Sequence, residues 1–299
     1  AMTYFRENKT TLFSFMDEQV ELWQSIRRSD TLKSYKSTKN VLMAFNTKLN
    51  FGDLSYETIQ RFDLYMSKIR GNSLNGRYGK HKCLKAIINE AIKKGYMDTN
   101  PYRDFKLKTT ASKRQFLSIA EIKKLMDYQV PEDEPFLEKA KDLFLFSCFT
   151  GLRYGDVISL KFGNIKSNPD AIKLKMSKTS KDITIPLVSN AKDILHKYSK
   201  HVLQQPSLTV LPKISNQVVN RNLKTLMENV GINKQISFHC ARHSFASSHI
   251  QANTNLIYLK DLMGHSKVTE TQVYAKSLES DLFNSMNTLQ NMYDHQVAI

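Results

Sequence analysis

Cysteine is scarce in this chain, and the three present (Cys83, Cys148 and Cys240) stand far apart. An odd number at such spacing fits neither a disulfide framework nor a zinc-ligand set, and makes a reducing cytoplasm the expected compartment. Glycine and proline are also few, 10 and 7 in 299 residues. That excludes a loop-rich or collagen-like chain and favours a folded, largely helical one. The apolar run LFLFSCF at 143–149 is too short to span a bilayer. There is no secretory leader pattern, no glycine-rich phosphate loop and no His/Cys spacing of a metal site, so no metal and no cofactor are expected. Ala1-Met2 reads as a residue left ahead of a start methionine, so the natural chain is expected to begin at Met2 or earlier.

Acidic residues are outnumbered: 28 against 44 basic, a net charge of +16. An excess of this size speaks of partners rather than fold, and the expected partner is a nucleic acid. A membrane surface competes less well, because neither end carries a strongly amphipathic basic helix. Residues 1–110 hold 20 basic and 11 acidic side chains, so the excess is shared by both halves of the chain. Arg27, Arg28, Lys33, Lys36 and Lys39 gather at one helix junction, and Arg70, Arg77, Lys80 and Lys82 at another. Each alone is ordinarily a solvated side chain; together they are candidate DNA contacts.

Residues 10–98 read as four or five helices, from apolar residues at helical spacing: Leu12, Phe15, Met16, Val20 and Trp23; Leu42, Phe45 and Leu49; Ile59, Phe62, Leu64, Tyr65 and Ile69; Leu84, Ile87, Ile88 and Ala91. Asn100-Pro101 ends this region. The segment 106–115 is basic and aperiodic and reads as a linker. Ser118-x-x-Glu121 then has the form of a capping box, so a second domain is expected over 116–299. The apolar helix of 134–150 ends at Gly151, and Arg153 follows in GLRYGD. An arginine so close to apolar sequence needs an anionic partner, which is either Asp156 or a bound phosphate. Ile172, Leu174 and Met176, then Ile183, Ile185 and Leu187, alternate as a β-hairpin with Lys178 and Lys181 near its tip. A lysine there is usually just solvated, and Lys175, Lys178 and Lys181 are locally equivalent. Helices resume at 190–203, 215–229 and, past Tyr274, 278–294.

The stretch from Phe238 to Tyr274 holds His239-x-x-Arg242, then Gly264-His265, then Tyr274. Cations beside a phenol suit a tyrosine that attacks a phosphodiester. Taken singly, Tyr274 reads as a packing residue and His243 and His249 as core or surface histidines. With Arg153, Lys178, His239, Arg242, His265 and Tyr274 in this order, the chain resembles the tyrosine recombinases, or phage-type integrases. TGLRYGD, HCARHSFAS, LMGHS and VYAK carry the likeness, and it covers almost the whole chain. KTSKDITIPL looks like integrases of mobile elements in Bacteroidetes-type bacteria. Ala241 before the second arginine and Tyr154-Gly155 after the first depart from common family wording, at positions without catalytic roles.

The resemblance implies a mainly α fold with a small β-sheet: a helical core-binding (SAM-like) domain at 1–105, then a mixed α/β catalytic domain. It gives Arg153 and Arg242 the scissile phosphate, His265 a bond to the same phosphate, Tyr274 the attack, and Lys178 (or Lys181) the proton for the leaving 5′ oxygen. His239 either bonds near the phosphate or accepts the Tyr274 proton, and Asp156 orients Arg153 or an imidazole. The implied function is site-specific strand exchange through a 3′-phosphotyrosyl link, to integrate or excise a mobile element. Its partners would be double-stranded DNA, the chain itself as a tetramer on DNA with the 278–294 helix exchanged, and accessory DNA-bending proteins. A type IB topoisomerase or a non-enzymatic DNA-binding protein are the competing readings. An additional N-terminal arm-binding domain, frequent in the family, is not expected within this length.

Overall fold

The computed structural model describes residues 10–110, 115–168, 170–200 and 205–275, together with 286, 287, 289–291 and 293. The chain divides into two compact units, Ala1–Ser112 and Lys113–Ile299.

The first unit is built on helices α1 (Leu12–Leu22), α2 (Ser29–Phe45), α3 (Tyr56–Lys68) and α4 (Leu74–Lys93). Thr11, Ser55 and Ser73 cap α1, α3 and α4 by accepting from amides of their first turns. Their apolar faces meet in a core that includes Phe15, Leu42, Ile59, Phe62, Leu84 and Ile87. Leu49 joins it from beyond the end of α2 rather than from the helix its spacing suggested. A polar network lies inside this core. His81 is bonded through Nδ1 to Tyr102 Oη at 2.7 Å and through Nε2 to Asp63 Oδ1 at 3.0 Å. Asp63 also pairs with Arg77. Phe105 and Leu107 pack on the same core, and Asn75 exchanges two hydrogen bonds with the Thr110 backbone. The first part of the expected 106–115 linker is therefore attached to the N-terminal unit, through the Leu107 side chain and the Thr110 backbone.

The second unit starts with α5 (Ile119–Asp127), where Ser118 and Glu121 form the reciprocal capping bonds. Helix α6 (Pro135–Thr150) is buried along most of its length, and three later helices, α8 (Ser189–Ser199), α9 (Asn216–Asn229) and α10 (Phe238–Gln251), pack around it. Next come α7 (Tyr154–Ile158) and an antiparallel sheet ordered β1 (Ile165–Lys166), β2 (Ala171–Lys175), β3 (Asp182–Pro186). Ile172 faces Ile185 and Leu174 faces Ile183 across the hairpin. The chain continues through α8 (Ser189–Ser199), α9 (Asn216–Asn229), α10 (Phe238–Gln251), α11 (Leu256–Leu262) and α12 (Thr269–Ala275). Of the expected 278–294 helix only six residues are described, and these are helical and exposed; the remainder lies outside the described residues.

Candidate active site

Gly151 ends α6 with φ +66, a left-handed turn that favours glycine, and a Cβ there would lie 2.7 Å from the Phe245 ring. The turn presents the Gly151 carbonyl inward and starts α7 with Arg153 at its N-cap. Arg242, on the buried side of α10, donates through Nη1 to that carbonyl at 2.6 Å and through Nη2 to the Met263 carbonyl. Both of these acceptors are neutral, so the bonds that fix the guanidinium do not neutralise its charge. Burial first, then the like charge of Arg153, pushes Arg242 down to about 9. It remains protonated at neutral pH all the same. Burial also lowers Arg153, with Asp156, Glu270 and Tyr274 acting in the opposite direction. Two guanidiniums thus repel each other in a site that an incoming phosphate would neutralise.

Asp156 does not make a plain ion pair with Arg153 among the described residues. One carboxylate oxygen accepts from the Ser177 amide at 2.8 Å, and the other is buried without a hydrogen-bond partner. Its negative charge still favours the charged form of both arginines. Asp156 therefore ties the arginine turn to the root of the β2–β3 hairpin, a link that sequence spacing did not disclose.

Gly264, with φ +59, lies against Met176 and Ile183 of the hairpin and turns the chain after α11 so that His265 is buried. His265 Nδ1 is bonded to Thr271 Oγ1 at 2.9 Å, which fixes the ring on α12. Tyr274 lies on the same short helix, half-buried against Phe245 and Met263. Tyr274 is also close enough to Arg153 and Arg242 to favour the charge on each. His243, read from sequence as a core or surface residue, has its Nδ1 2.8 Å from Tyr274 Oη. His239 is exposed one turn earlier on α10, its ring edge-on to His243 at 4.6 Å between centroids. The signal for His243 was its place, four residues after His239 and directly after Arg242.

The two hairpin lysines differ. Lys181 donates to the His265 carbonyl at 3.2 Å and pairs with Asp261 at 3.5 Å. Lys178 is exposed at the tip, with no hydrogen bond or ion pair among the described residues.

In the first unit, α2 and α4 border a groove of about 890 Å³ whose lining includes Arg27, Lys33, Lys80 and Lys82, with Asp30 as its one carboxylate. Lys80 donates to Ser37, and its pKa is lowered by burial. Lys33 pairs with Asp30, whereas Lys36, Lys82, Arg28 and Arg70 are exposed. Arg27 stacks 4.0 Å from the Trp23 ring centroid and donates to Tyr35 Oη. Arg77 is taken up by Asp63, so both of these arginines also serve the fold.

Among the described residues no group of three or more His, Cys, Asp or Glu side chains is placed to hold a metal ion. No described helix is long and apolar enough to cross a membrane.

Two family descriptions match the chain: the phage integrase SAM-like domain at residues 11–109 and the phage integrase family at residues 115–281. A tyrosine recombinase of Pseudothermotoga lettingae is 26% identical over 237 residues, covering 78% of this chain and 80% of that one. The Tn1549 transposon integrase in complex with transposon right end DNA superposes with a TM-score of 0.73 at 17% identity, over 94% of this chain and 99% of that one. A lambda integrase tetramer bound to a Holliday junction gives a TM-score of 0.72 at 22% identity, over 89% of this chain and 81% of that one. With the family description spanning more than half its residues and the arginine–histidine–tyrosine site inside that span, this chain belongs to the phage integrase family, the tyrosine recombinases.

Proposed function

We propose that this recombinase cuts and rejoins DNA through Tyr274, with Arg153 and Arg242 holding the scissile phosphate. The observation that carries this is the buried Arg242, fixed by two neutral carbonyls beside a second guanidinium and the phenol. A buried guanidinium with no carboxylate in direct contact among the described residues is costly unless its ligand supplies the charge. The phenol oxygen attacks phosphorus, the bond to the 5′ oxygen breaks, and the charge growing on the non-bridging oxygens falls on the two arginines. His265, fixed by Thr271, donates to the same phosphate. Lys178, unengaged at the hairpin tip, supplies the proton that the 5′ oxygen needs; Lys181, already bonded to the His265 turn, braces the hairpin. The product is a 3′-phosphotyrosyl link, and a 5′-hydroxyl from another strand reverses the step.

In the first unit, the groove between α2 and α4 takes the DNA backbone, with Lys33, Lys80 and Lys82 among its cations and exposed Lys36, Arg28 and Arg70 adding to the basic surface. The likeness to a transposon integrase bound to transposon end DNA and to an integrase tetramer on a Holliday junction supports a mobile-element role. It also supports assembly as a tetramer on the recombining sites.

The test is covalent trapping on nicked suicide duplexes built from the ends of the host element. Wild type is expected to give an SDS-resistant protein–DNA band. Tyr274→Phe, which loses only the attacking oxygen, is expected to bind the duplex and give none. A band of equal strength from Tyr274→Phe would remove Tyr274 from the chemistry.

A further inference from the structure

The residue after Arg242 carries a role that its neighbour's motif does not assign. We propose that His243 is the base that takes the Tyr274 proton as the phenol attacks; this rests on the recombinase reading above. His243 Nδ1 and Tyr274 Oη are 2.8 Å apart, within direct proton-transfer reach, with no water needed between them. The two rings lie 5.6 Å apart between centroids at 46°, a packed arrangement rather than a passing approach of two surface groups. Helix α12, which carries Tyr274, packs against α10, which carries the histidine, so the pair is set by helix packing.

The geometry divides labour between adjacent residues of α10. Successive helical side chains point about 100° apart. Arg242 faces the Gly151 and Met263 carbonyls, where the phosphate is to be held. His243, one step round, faces the nucleophile. His239, one turn back, lies edge-on to His243. In that position it is placed to support an imidazolium formed on His243.

The step balances without any added reagent. The Oη–H bond breaks and its proton goes to Nδ1 of a neutral imidazole. The oxygen lone pair forms the Oη–P bond while the P–O5′ bond breaks, and the 5′ oxygen takes its proton from Lys178. Rejoining runs the same transfers backward: the His243 imidazolium returns the proton to the departing phenolate. A phenol with an ordinary pKa of about 10 is both a poor nucleophile and a moderate leaving group, so one base serves both directions.

The experiment is single-turnover cleavage of the same nicked duplexes by wild type, Tyr274→Phe, Lys178→Ala, His243→Ala and His243→Asn. A parallel set of duplexes carries sulfur in place of the bridging 5′ oxygen. Asparagine keeps a hydrogen bond to Oη but takes no proton at neutral pH. Both His243 variants are expected to bind DNA as wild type does and to cleave at least about 100-fold more slowly. The sulfur leaving group, which needs no acid, is expected to restore Lys178→Ala but neither His243 variant. Cleavage by His243→Asn at the wild-type rate would overturn the assignment as a base and leave a positioning role. Rescue of both His243 variants by sulfur would overturn it too, placing the residue on the leaving-group side. If wild type forms no adduct on any of the duplexes, the recombinase reading fails and the base with it. An adduct from wild type and none from Tyr274→Phe, with both His243 variants as fast as wild type, sinks only the present inference.

Discussion

Gly151 positions Arg242 through its backbone alone. Its left-handed turn aims a carbonyl at Arg242, and its missing side chain admits the Phe245 ring. Gly151→Ala adds a Cβ to a backbone that disfavours one and to a space already filled. The expected cost is about 1–3 kcal/mol of stability, read as a lowered urea midpoint. Cleavage should fall further than stability explains, because the acceptor of Nη1 moves with the turn; an unchanged midpoint would mean that the ring yields freely. At this scale Arg153, Arg242, His265 and Tyr274 could be picked out in the sequence because each falls within a compact motif. His243 could not be assigned, since residues 239, 242 and 243 crowd one arc of a helix and only the docking of α12 decides which of them meets the phenol. The Asp156–Ser177 bond was hidden for a similar reason: a carboxylate three residues from an arginine looks like its partner until a hairpin amide arrives.

The β2–β3 hairpin divides its two lysines by what each can reach. Lys181 is tied to the turn after α11, and Lys178 is left at the tip. Lys178→Ala is expected to slow strand cleavage by roughly 10²–10⁴-fold with binding retained, as loss of a general acid should. Lys181→Ala removes a partly exposed pair worth about 0–1 kcal/mol, so it should cost little stability and slow cleavage far less. Equal defects in a gel-based cleavage time course would show that the two lysines share the proton transfer. Strict alternation of Ile and Leu with polar residues made the hairpin legible, as the Gly151 stop and the Ser118–Glu121 box did for helices α6 and α5. Strand β1 is only two residues long and carries no period to read. Within the basic stretch 106–115, Leu107 packs on the first core, a contact that the surrounding lysines do not advertise.

Over the whole molecule, the charge of +16 is the property that DNA meets first. Binding should weaken with salt, the logarithm of the association constant falling linearly with the logarithm of salt concentration. Exchanging exposed Lys36 or Lys82 for alanine should lower the slope by about 0.9 for each phosphate that goes unneutralised. Arg77→Gln should leave the slope nearly unchanged and destabilise the first unit, because Asp63 holds that charge. Filter binding across a salt series measures both, and a flat series would refute the electrostatic reading. The two-unit division and the sign of the partner were visible in composition and periodicity. The grip on Arg242 was not, because main-chain carbonyls have no letter in a sequence. That anonymity has an evolutionary side. Since any residue type offers a carbonyl, the side chain at Met263 and those around both turns can change without removing the acceptors, whereas Gly151 is held by its left-handed turn and the Phe245 ring. A recombinase clamped in this way is free to diverge in wording, and the fold it shares with the Tn1549 integrase at 17% identity shows how little wording the scaffold demands.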